Sequence, residues 1–177
     1  MMKRLTLILC LAFVGSLAVA DDTERSAVSS PKVDLNVVTK LGKVAPVDGV
    51  TTAGQPDEES LKVFADNGYV AVIDLRTSGE NRGFDEPAVI ESLGMDYINF
   101  PIGRDGITME NARTLEEIMV RYDQPVLVHW GSANRVGALF ALNTYRHTED
   151  IEKALEVGRA AGLTGLEGAV KEVIEDK

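Results

Sequence analysis

The segment whose residues most clearly suggest a chemical function runs from Pro125 to Leu139, with the sequence PVLVHWGSANRVGAL. Its apolar start predicts a buried strand, Gly131 and Ser132 predict a tight loop, and a helix is predicted to begin near Arg135. Small loop residues let successive backbone N–H groups turn inward, the helix adds its positive end, and an arginine can hold two phosphate oxygens. This pattern indicates an oxyanion site. An ordinary strand-to-helix turn, with Arg135 paired to a surface acid, is an equally weighted alternative.

The elements around this segment predict an α/β domain with a mainly parallel sheet flanked by helices. Apolar runs predict strands at Val70–Leu75, Tyr97–Phe100 and Val126–His129. Helices are predicted at Pro56–Asn67, Glu86–Ser92, Asn111–Arg121 and Arg135–Arg146, followed by one capped by Thr148 and one opened by a capping box at Thr164 and Glu167. Strands that alternate with helices favour a parallel sheet covered on both faces, with ligands at the carboxyl ends of the strands.

The first twenty residues predict a secretory signal peptide. Lys3 and Arg4 precede an apolar run that ends in the small-residue pattern Ala18-Val19-Ala20. We therefore expect a signal peptide at residues 1–20, a flexible leader at 21–36 and one domain at 37–177. The expected location is periplasmic or secreted, without membrane insertion after cleavage.

Composition excludes several classes of chemistry. The single cysteine, Cys10, lies within the predicted signal peptide, so the mature protein is expected to have no thiol for a disulfide, a thiolate metal site or a cysteine nucleophile. The formal net charge of −10 disfavours nucleic acid as a partner. The two histidines, His129 and His147, are too scattered to form a metal site, so no metal and no cofactor are expected.

The sequence HWGSANR resembles the His-Cys-x-x-x-x-Arg loop of the beta-lactamase hydrolase-like phosphatase domains, within the dual-specificity and tyrosine phosphatase superfamily. The segments that carry the same resemblance are Gly54-Gln55-Pro56, Ile73-Asp74-Leu75-Arg76, Glu80-Asn81-Arg82, Tyr97–Pro101 and Gly158–Leu163. The resemblance implies a three-layer phosphatase-like fold in which Arg135 and the backbone of residues 131–135 hold a phosphate.

The resemblance also implies the roles of individual side chains. Arg135 and Asp105, a candidate general acid, are the implied catalytic residues, and His129 is implied to brace the loop. The implied ligand-binding residues are His129, Trp130, Gly131, Ser132, Ala133, Asn134, Arg135 and Arg76. Asp105 fits a simple turn in Arg104-Asp105-Gly106 as well. Arg76 and Arg82 fit the pocket mouth or ion pairs with Glu80, Asp85 or Glu86 equally well.

Trp130 departs from the pattern because it stands where the family has its cysteine. An indole can neither attack phosphorus nor carry a phosphoryl group, and the hydroxyls of Ser132 and Thr108 have no evident base. The indole is also too large for the floor of the loop. We expect it to turn outward, since filling the loop would cost about 1–3 kcal/mol for each buried donor left unpaired.

The expected function is an exported, catalytically degenerate phosphatase-like domain that binds a phosphate-type anion, a phosphorylated ligand or a protein partner. One alternative is an active phosphoester hydrolase with a mechanism that uses no cysteine. Another is a structural or protein-interaction module of the cell envelope. Turnover of an aryl phosphate separates the first alternative from the other two functions.

Export would remove the predicted signal peptide, so we expect the mature protein to begin at Asp21. Intact-mass analysis of protein recovered outside the cytoplasm measures the position of the N-terminus. A cytoplasmic protein that still begins at Met1 would contradict this expectation and would retain the Cys10 thiol.

Overall fold

The computed structural model describes residues 32–42 and 49–176 of the chain. The strands within these residues are β1 (Val50–Ala53), β2 (Ala71–Asp74), β3 (Asp96–Asn99) and β4 (Val126–His129). The helices are α1 (Leu35–Leu41), α2 (Glu58–Asp66), α3 (Glu86–Ser92), α4 (Met109–Met119), α5 (Asn134–Thr148), α6 (Ile151–Ala160) and α7 (Glu167–Glu175). The predicted signal peptide lies outside the described residues, as does the predicted leader up to residue 31.

The strands form one parallel sheet in the order β1-β4-β2-β3. Parallel neighbours need crossover connections, and the helices between the strands provide them. The predicted α/β class, with a parallel sheet flanked by helices, is therefore confirmed. The sequence did not predict β1, whose residues Val-Thr-Thr-Ala include two threonines and lack a long apolar run.

Both faces of the sheet are covered, and the alternation of side chains along β4 shows how. Val126 and Val128 pack into the apolar cluster that contains buried residues of α4, α5, α6 and α7. Leu127, between them, packs into a second cluster with buried residues of α1, α2 and α3. Every residue of β4 is buried, as expected for a central strand of a parallel sheet.

Helix α5 approaches the following segment so closely that two glycines are required. A Cβ at Gly137 would lie 2.2 Å from the backbone nitrogen of Leu163 and 2.6 Å from the carbonyl oxygen of Gly158. A Cβ at Gly158 would lie 2.8 Å from the Cβ of Ala141. The N-terminal half of α5 is thereby packed against α6 and the loop that follows it.

Two predicted helix starts near the C-terminus are wrong. Thr148 is the last residue of α5, and Asp150 caps α6 by accepting the N–H of Lys153. The capping box at Thr164 does not form, because α7 begins at Glu167 without a side-chain cap. Glu167 instead forms ion pairs with Arg159 at 2.7 Å and Lys171 at 3.0 Å.

A genuine capping box begins α2, where the sequence analysis identified only the helix start. The Asp57 carboxylate accepts the Ser60 N–H at 2.8 Å, and the Ser60 hydroxyl accepts the Asp57 N–H at 3.0 Å. This reciprocal pair satisfies donors that the helix leaves free. Across residues 32–42 and 49–176, no helix combines the length and apolarity needed to span a bilayer.

Gly137→Ala is expected to lower the free energy of unfolding by about 1–3 kcal/mol or more, because the new methyl group overlaps backbone atoms. Gly168→Ala is the matched control, since no described atom lies within 4 Å of a Cβ at that helical position. The control should raise stability by about 0.5–1 kcal/mol. Urea denaturation followed by circular dichroism measures both values, and equal stabilities would contradict the close approach at Gly137.

Candidate functional site

The candidate site starts at the row of residues that ends the parallel strands. Ala53, His129, Asp74 and Asn99 are neighbours in register across the sheet. Segments that leave the carboxyl ends of parallel strands meet beyond this edge, which is where ligands bind in open α/β sheets. The polar ends of β2 and β4 therefore lie directly beneath residues 130–135, which we call the β4–α5 segment.

The end of β1 holds the β4–α5 segment in place. Trp130 donates its backbone N–H to the Ala53 carbonyl at 3.4 Å, and the Gly131 carbonyl accepts the backbone N–H of Gln55, also at 3.4 Å. A Cβ at Gly54 would lie only 3.2 Å from the Gly131 carbonyl oxygen. The Gly54-Gln55 motif thus lets one backbone pass close to the other.

The backbone N–H groups of residues 131–136 have no hydrogen-bond acceptor among the described residues. Gly131 and Ser132 are exposed, and Ala133 enters α5 with a left-handed φ of 66°. No side chain from the described part of the chain caps this helix start. Unpaired N–H groups at the N-terminus of a 15-residue helix favour a negative charge. This run is chemically able to bind an oxyanion.

The carboxylate of Glu80 joins the side chains at the two ends of the β4–α5 segment. Its Oε1 accepts the indole N–H of Trp130 at 2.8 Å, and its Oε2 accepts Nη1–H of Arg135 at 2.9 Å. The Arg135 guanidinium also stacks on the indole, with its carbon 4.0 Å from the ring centroid, in a cation–π contact. The indole is partly buried and packs against the apolar core. The Arg135 guanidinium, which the resemblance implies holds a phosphate, is therefore paired with a carboxylate of the same chain.

Glu80 receives further hydrogen bonds from its own loop. Its Oε2 accepts the backbone N–H and the hydroxyl of Thr77, both at 2.9 Å. Burial alone would raise the pKa of Glu80, but the donors of Thr77, Trp130 and Arg135 together outweigh it and lower the pKa to about 2. The carboxylate is consequently ionised at neutral pH.

A buried ion pair lies behind this arrangement, at the end of β2. The carboxylate of Asp74 is fully buried and lies 2.5 Å from Nη2 of Arg82. The same oxygen accepts the Tyr97 hydroxyl at 2.8 Å. Burial and the neighbouring Asp74 carboxylate raise the pKa of Tyr97, so the phenol stays protonated and donates. Burial alone would lower the pKa of Arg82, but its pairing with Asp74 raises it.

Arg82 also ties together the backbone that carries Glu80. Its guanidinium donates to the carbonyl oxygens of Arg76 at 3.1 Å, Glu80 at 3.2 Å and Thr77 at 3.4 Å. An arginine has five N–H donors in a rigid plane and can hold several acceptors at once. Residues 76–80 are therefore folded around a buried charge, and Glu80 is aimed at the β4–α5 segment.

His129 lies beneath the same segment against a second buried carboxylate. Its Nε2 is 3.1 Å from Oε1 of Glu86 and 3.8 Å from Oδ1 of Asp74. Within the described residues, both ring nitrogens of His129 and Oε2 of Glu86 lack a hydrogen bond. Gln55 donates to Oε1 of Glu86 at 3.1 Å. The His129 ring is therefore fully buried beneath the segment but makes no hydrogen bond to the segment's described backbone, and the bracing role implied by the resemblance stays a prediction.

Asp74, Glu86 and His129 are described residues whose ligand atoms lie within 4.8 Å of one another, close enough to hold a metal ion. Arg82 contacts the same two carboxylates, at 2.5 Å from Asp74 and 3.5 Å from Glu86. Its positive charge already compensates part of their negative charge, which weakens the attraction for a second cation. We therefore assign no metal to this cluster.

Two other predicted ligand-binding side chains have partners within the protein. Arg76 donates through Nη1 to the side chain of Gln55, while its buried Nε has no hydrogen bond to any described residue. The Asn134 side chain accepts the N–H of Thr164 at 2.8 Å and that of Leu166 at 3.4 Å, so it links α5 to the start of α7.

Asp105, the predicted general acid, lies in the turn between β3 and α4. It is exposed, and its carboxylate makes no hydrogen bond or ion pair with the described residues. The Ser132 side chain is likewise without a hydrogen bond in the described part of the chain. Thr108 caps α4, since its hydroxyl oxygen accepts the N–H of Asn111 at 3.1 Å.

The sequence analysis left open that Arg135 pairs with a surface acid, and the structure shows such a pair. That the acid is Glu80, and that Glu80 also contacts Trp130, was not foreseen. Sequence analysis had considered Glu80 only as a partner of its near neighbours Arg76 and Arg82. The observed partners lie 50 and 55 residues further along the chain. The only available signal was an acidic residue after a predicted strand, which does not identify a distant partner.

Comparisons with known proteins agree with this architecture. No protein-family model matches the chain. A beta-lactamase hydrolase-like protein of Agrobacterium fabrum is 28% identical over 97 residues, or 52% of this chain. One of Xylella fastidiosa is 32% identical over 95 residues, or 51% of this chain. The matches span only 22% of the length of each of these relatives.

Solved structures show the same fold at low sequence identity. A candidate phosphatase from Neisseria meningitidis has a TM-score of 0.63 at 15% identity, covering 77% of this chain and 99% of its own. A DUF442 candidate phosphatase from Shewanella putrefaciens has a TM-score of 0.57 at 17% identity, covering 78% and 92%. Tk-PTP in its active form has a TM-score of 0.55 at 22% identity, covering 72% and 92%. The chain therefore has a phosphatase-like fold, and the predicted fold is confirmed.

The lowered pKa of Glu80 predicts how its contribution to stability changes with pH. The pKa falls from 4.5 to about 2 on folding, so the stabilisation is complete above about pH 4.5 and is lost as the pH falls towards 2. Glu80→Gln should therefore be less stable than the wild type by a larger margin at about pH 6 than at about pH 3.5. Urea denaturation at both values measures the margin.

Glu172→Gln is the control for this experiment, because it removes one carboxylate from an exposed position on α7. Its difference from the wild type should change less between the two pH values than that of Glu80→Gln. A pH-independent margin for Glu80→Gln would contradict the assigned hydrogen bonds.

Proposed function

We propose that this chain is an exported, catalytically degenerate phosphatase-like domain that binds a phosphate-type oxyanion at residues 131–135. The observation that carries the proposal is the run of backbone N–H groups at residues 131–136, which have no acceptor among the described residues. Such a run supplies several donors to one anion and adds the positive end of α5. The phosphatase-like fold of the solved neighbours supports this location for the site.

The degeneracy rests on the residue at position 130. By resemblance, Trp130 replaces the nucleophilic cysteine, and its indole is engaged with Glu80 and Arg135. Neither candidate hydroxyl is paired with a base, because Ser132 has no hydrogen bond to the described residues and Thr108 caps a helix. A nucleophile normally needs an adjacent base or a lowered pKa. These features favour binding over turnover.

Export is part of the proposal and rests on the sequence of residues 1–20. It is supported by the positively charged start, the apolar run and the small-residue ending. The match covers only 22% of the length of the longer relatives, so their substrates and partners carry no weight for this chain. A phosphate-type anion is proposed from the donors of this chain alone.

Phosphate binding is tested by titrating inorganic phosphate while recording the fluorescence of Trp130, the only tryptophan in the chain. We expect phosphate to change the emission of the wild type, because the anion approaches the guanidinium stacked on the indole. Arg135→Ala should lose the response. Arg146→Ala is a matched control, since Arg146 is also on α5 and also pairs with a glutamate, Glu116, at 3.0 Å. Equal flat responses in the wild type and both variants would contradict oxyanion binding.

Degeneracy is tested with p-nitrophenyl phosphate as the substrate. We expect the wild type to hydrolyse it no faster than Arg135→Ala, because neither Ser132 nor Thr108 is paired with a base among the described residues. Clear turnover that Arg135→Ala abolishes would show an active enzyme. Asp105→Asn and Ser132→Ala would then identify which side chain supports the reaction.

A further inference from the structure

We propose that Glu80 is a built-in competitor for the anion site and that Trp130 holds it in place. This inference rests on the oxyanion site proposed above and describes how that site is regulated. Glu80 provides the negative charge that Arg135 would otherwise find in a ligand. The site is therefore closed by the protein's own carboxylate until an external anion displaces it.

The contacts of Glu80 divide into two groups that displacement affects differently. Its bonds to Thr77 lie within one loop and end on Oε2, the oxygen that also accepts Arg135, so they do not themselves hold Glu80 to the β4–α5 segment. Its bonds to Trp130 and Arg135 join two separate segments and must break for Arg135 to reach a ligand. Because Arg82 holds the backbone carbonyl of Glu80, the side chain is the part free to move.

The competing pair is accessible from solvent. The side chain of Glu80 is 25% exposed and that of Arg135 is 17% exposed. An anion can therefore approach Arg135 without unfolding the segment. By contrast, the Asp74–Arg82 pair beneath it has a fully buried carboxylate and is not open to exchange.

The geometry explains why an indole at position 130 favours the closed state. Its N–H donates to Oε1 of Glu80, which has no other donor among the described residues, while Arg135 and Thr77 donate to Oε2. Its ring also stacks on the guanidinium of Arg135. Trp130 thus increases the number of contacts that an incoming anion has to replace.

Competition also determines which anions can enter. A single carboxylate offers Arg135 no more than Glu80 already provides. A phosphate dianion carries more charge and more acceptor oxygens. These oxygens can use Arg135 together with the N–H groups of residues 131–136, which lack an acceptor among the described residues. The site is thus selective for tetrahedral dianions over carboxylates.

The proposal is tested by isothermal titration calorimetry with inorganic phosphate on the mature protein. Glu80→Gln keeps the size of the side chain but removes its charge, and should bind phosphate about tenfold more tightly than the wild type, since charged hydrogen bonds are stronger than neutral ones. Glu116→Gln is the matched control, because Glu116 also pairs with an arginine of α5, at 3.0 Å, and its affinity should match the wild type.

Trp130→Phe is the second variant, because it keeps an aromatic ring under Arg135 but removes the N–H donor to Glu80. It should bind phosphate several-fold more tightly than the wild type. If only Glu80→Gln binds phosphate more tightly than the wild type, the competition by Glu80 is supported and the role of Trp130 is overturned. Equal phosphate affinity in the wild type and both variants would show that Glu80 does not compete with the anion, while the oxyanion site itself would still be supported. No binding in any of the proteins would overturn both.

Acetate provides the test of selectivity. It should bind Glu80→Gln and not the wild type, because only the variant leaves Arg135 without a carboxylate. Equal acetate binding to the two proteins would overturn the assigned selection for dianions.

Discussion

The buried ion pair between Asp74 and Arg82 organises the edge of the sheet at which the candidate site lies. Asp74 ends β2 inside the protein, where an unpaired carboxylate would be strongly destabilising. Arg82 neutralises it and uses its remaining donors on the carbonyl oxygens of residues 76–80. The conformation of this loop, and with it the direction of Glu80, therefore follows from the need to satisfy one buried charge.

The chain of contacts then passes from β2 to β4. Glu80 reaches the indole of Trp130 and the guanidinium of Arg135, so the loop after one central strand is attached to the segment after the next. Beneath them, His129 packs on Glu86, and Gln55 bridges from the end of β1. Three strand ends are thus connected through polar side chains, and these contacts position the residues of the proposed anion site.

Local signals were sufficient to predict much of the fold. The bounds of β4 and α3 agree with the prediction, because an uninterrupted apolar run and a glycine shortly after a helix are strong signals. Features that depend on distant partners were not predictable in the same way. Glu167 matched a capping box but forms ion pairs with Arg159 and Lys171 instead. Glu80 was assigned to near neighbours, because nothing in a local pattern reveals a partner 55 residues away.

The absence of space beside Gly137 divides the candidate site into a fixed part and an adjustable part. At Gly137 the backbone of α5 lies so close to that of Leu163 that an added Cβ would be 2.2 Å from its nitrogen, which restricts movement of the helix there. The first turn of the helix is therefore held in place, and in the proposed anion site its N–H donors would keep their spacing. In the proposed anion site, adaptation to a ligand would come from the side chain of Glu80 on the opposite wall, because Arg82 holds the backbone of its loop. Changes in the length or composition of that loop would then be expected to alter which anions the proposed site accepts, while the donors of α5 stay in place.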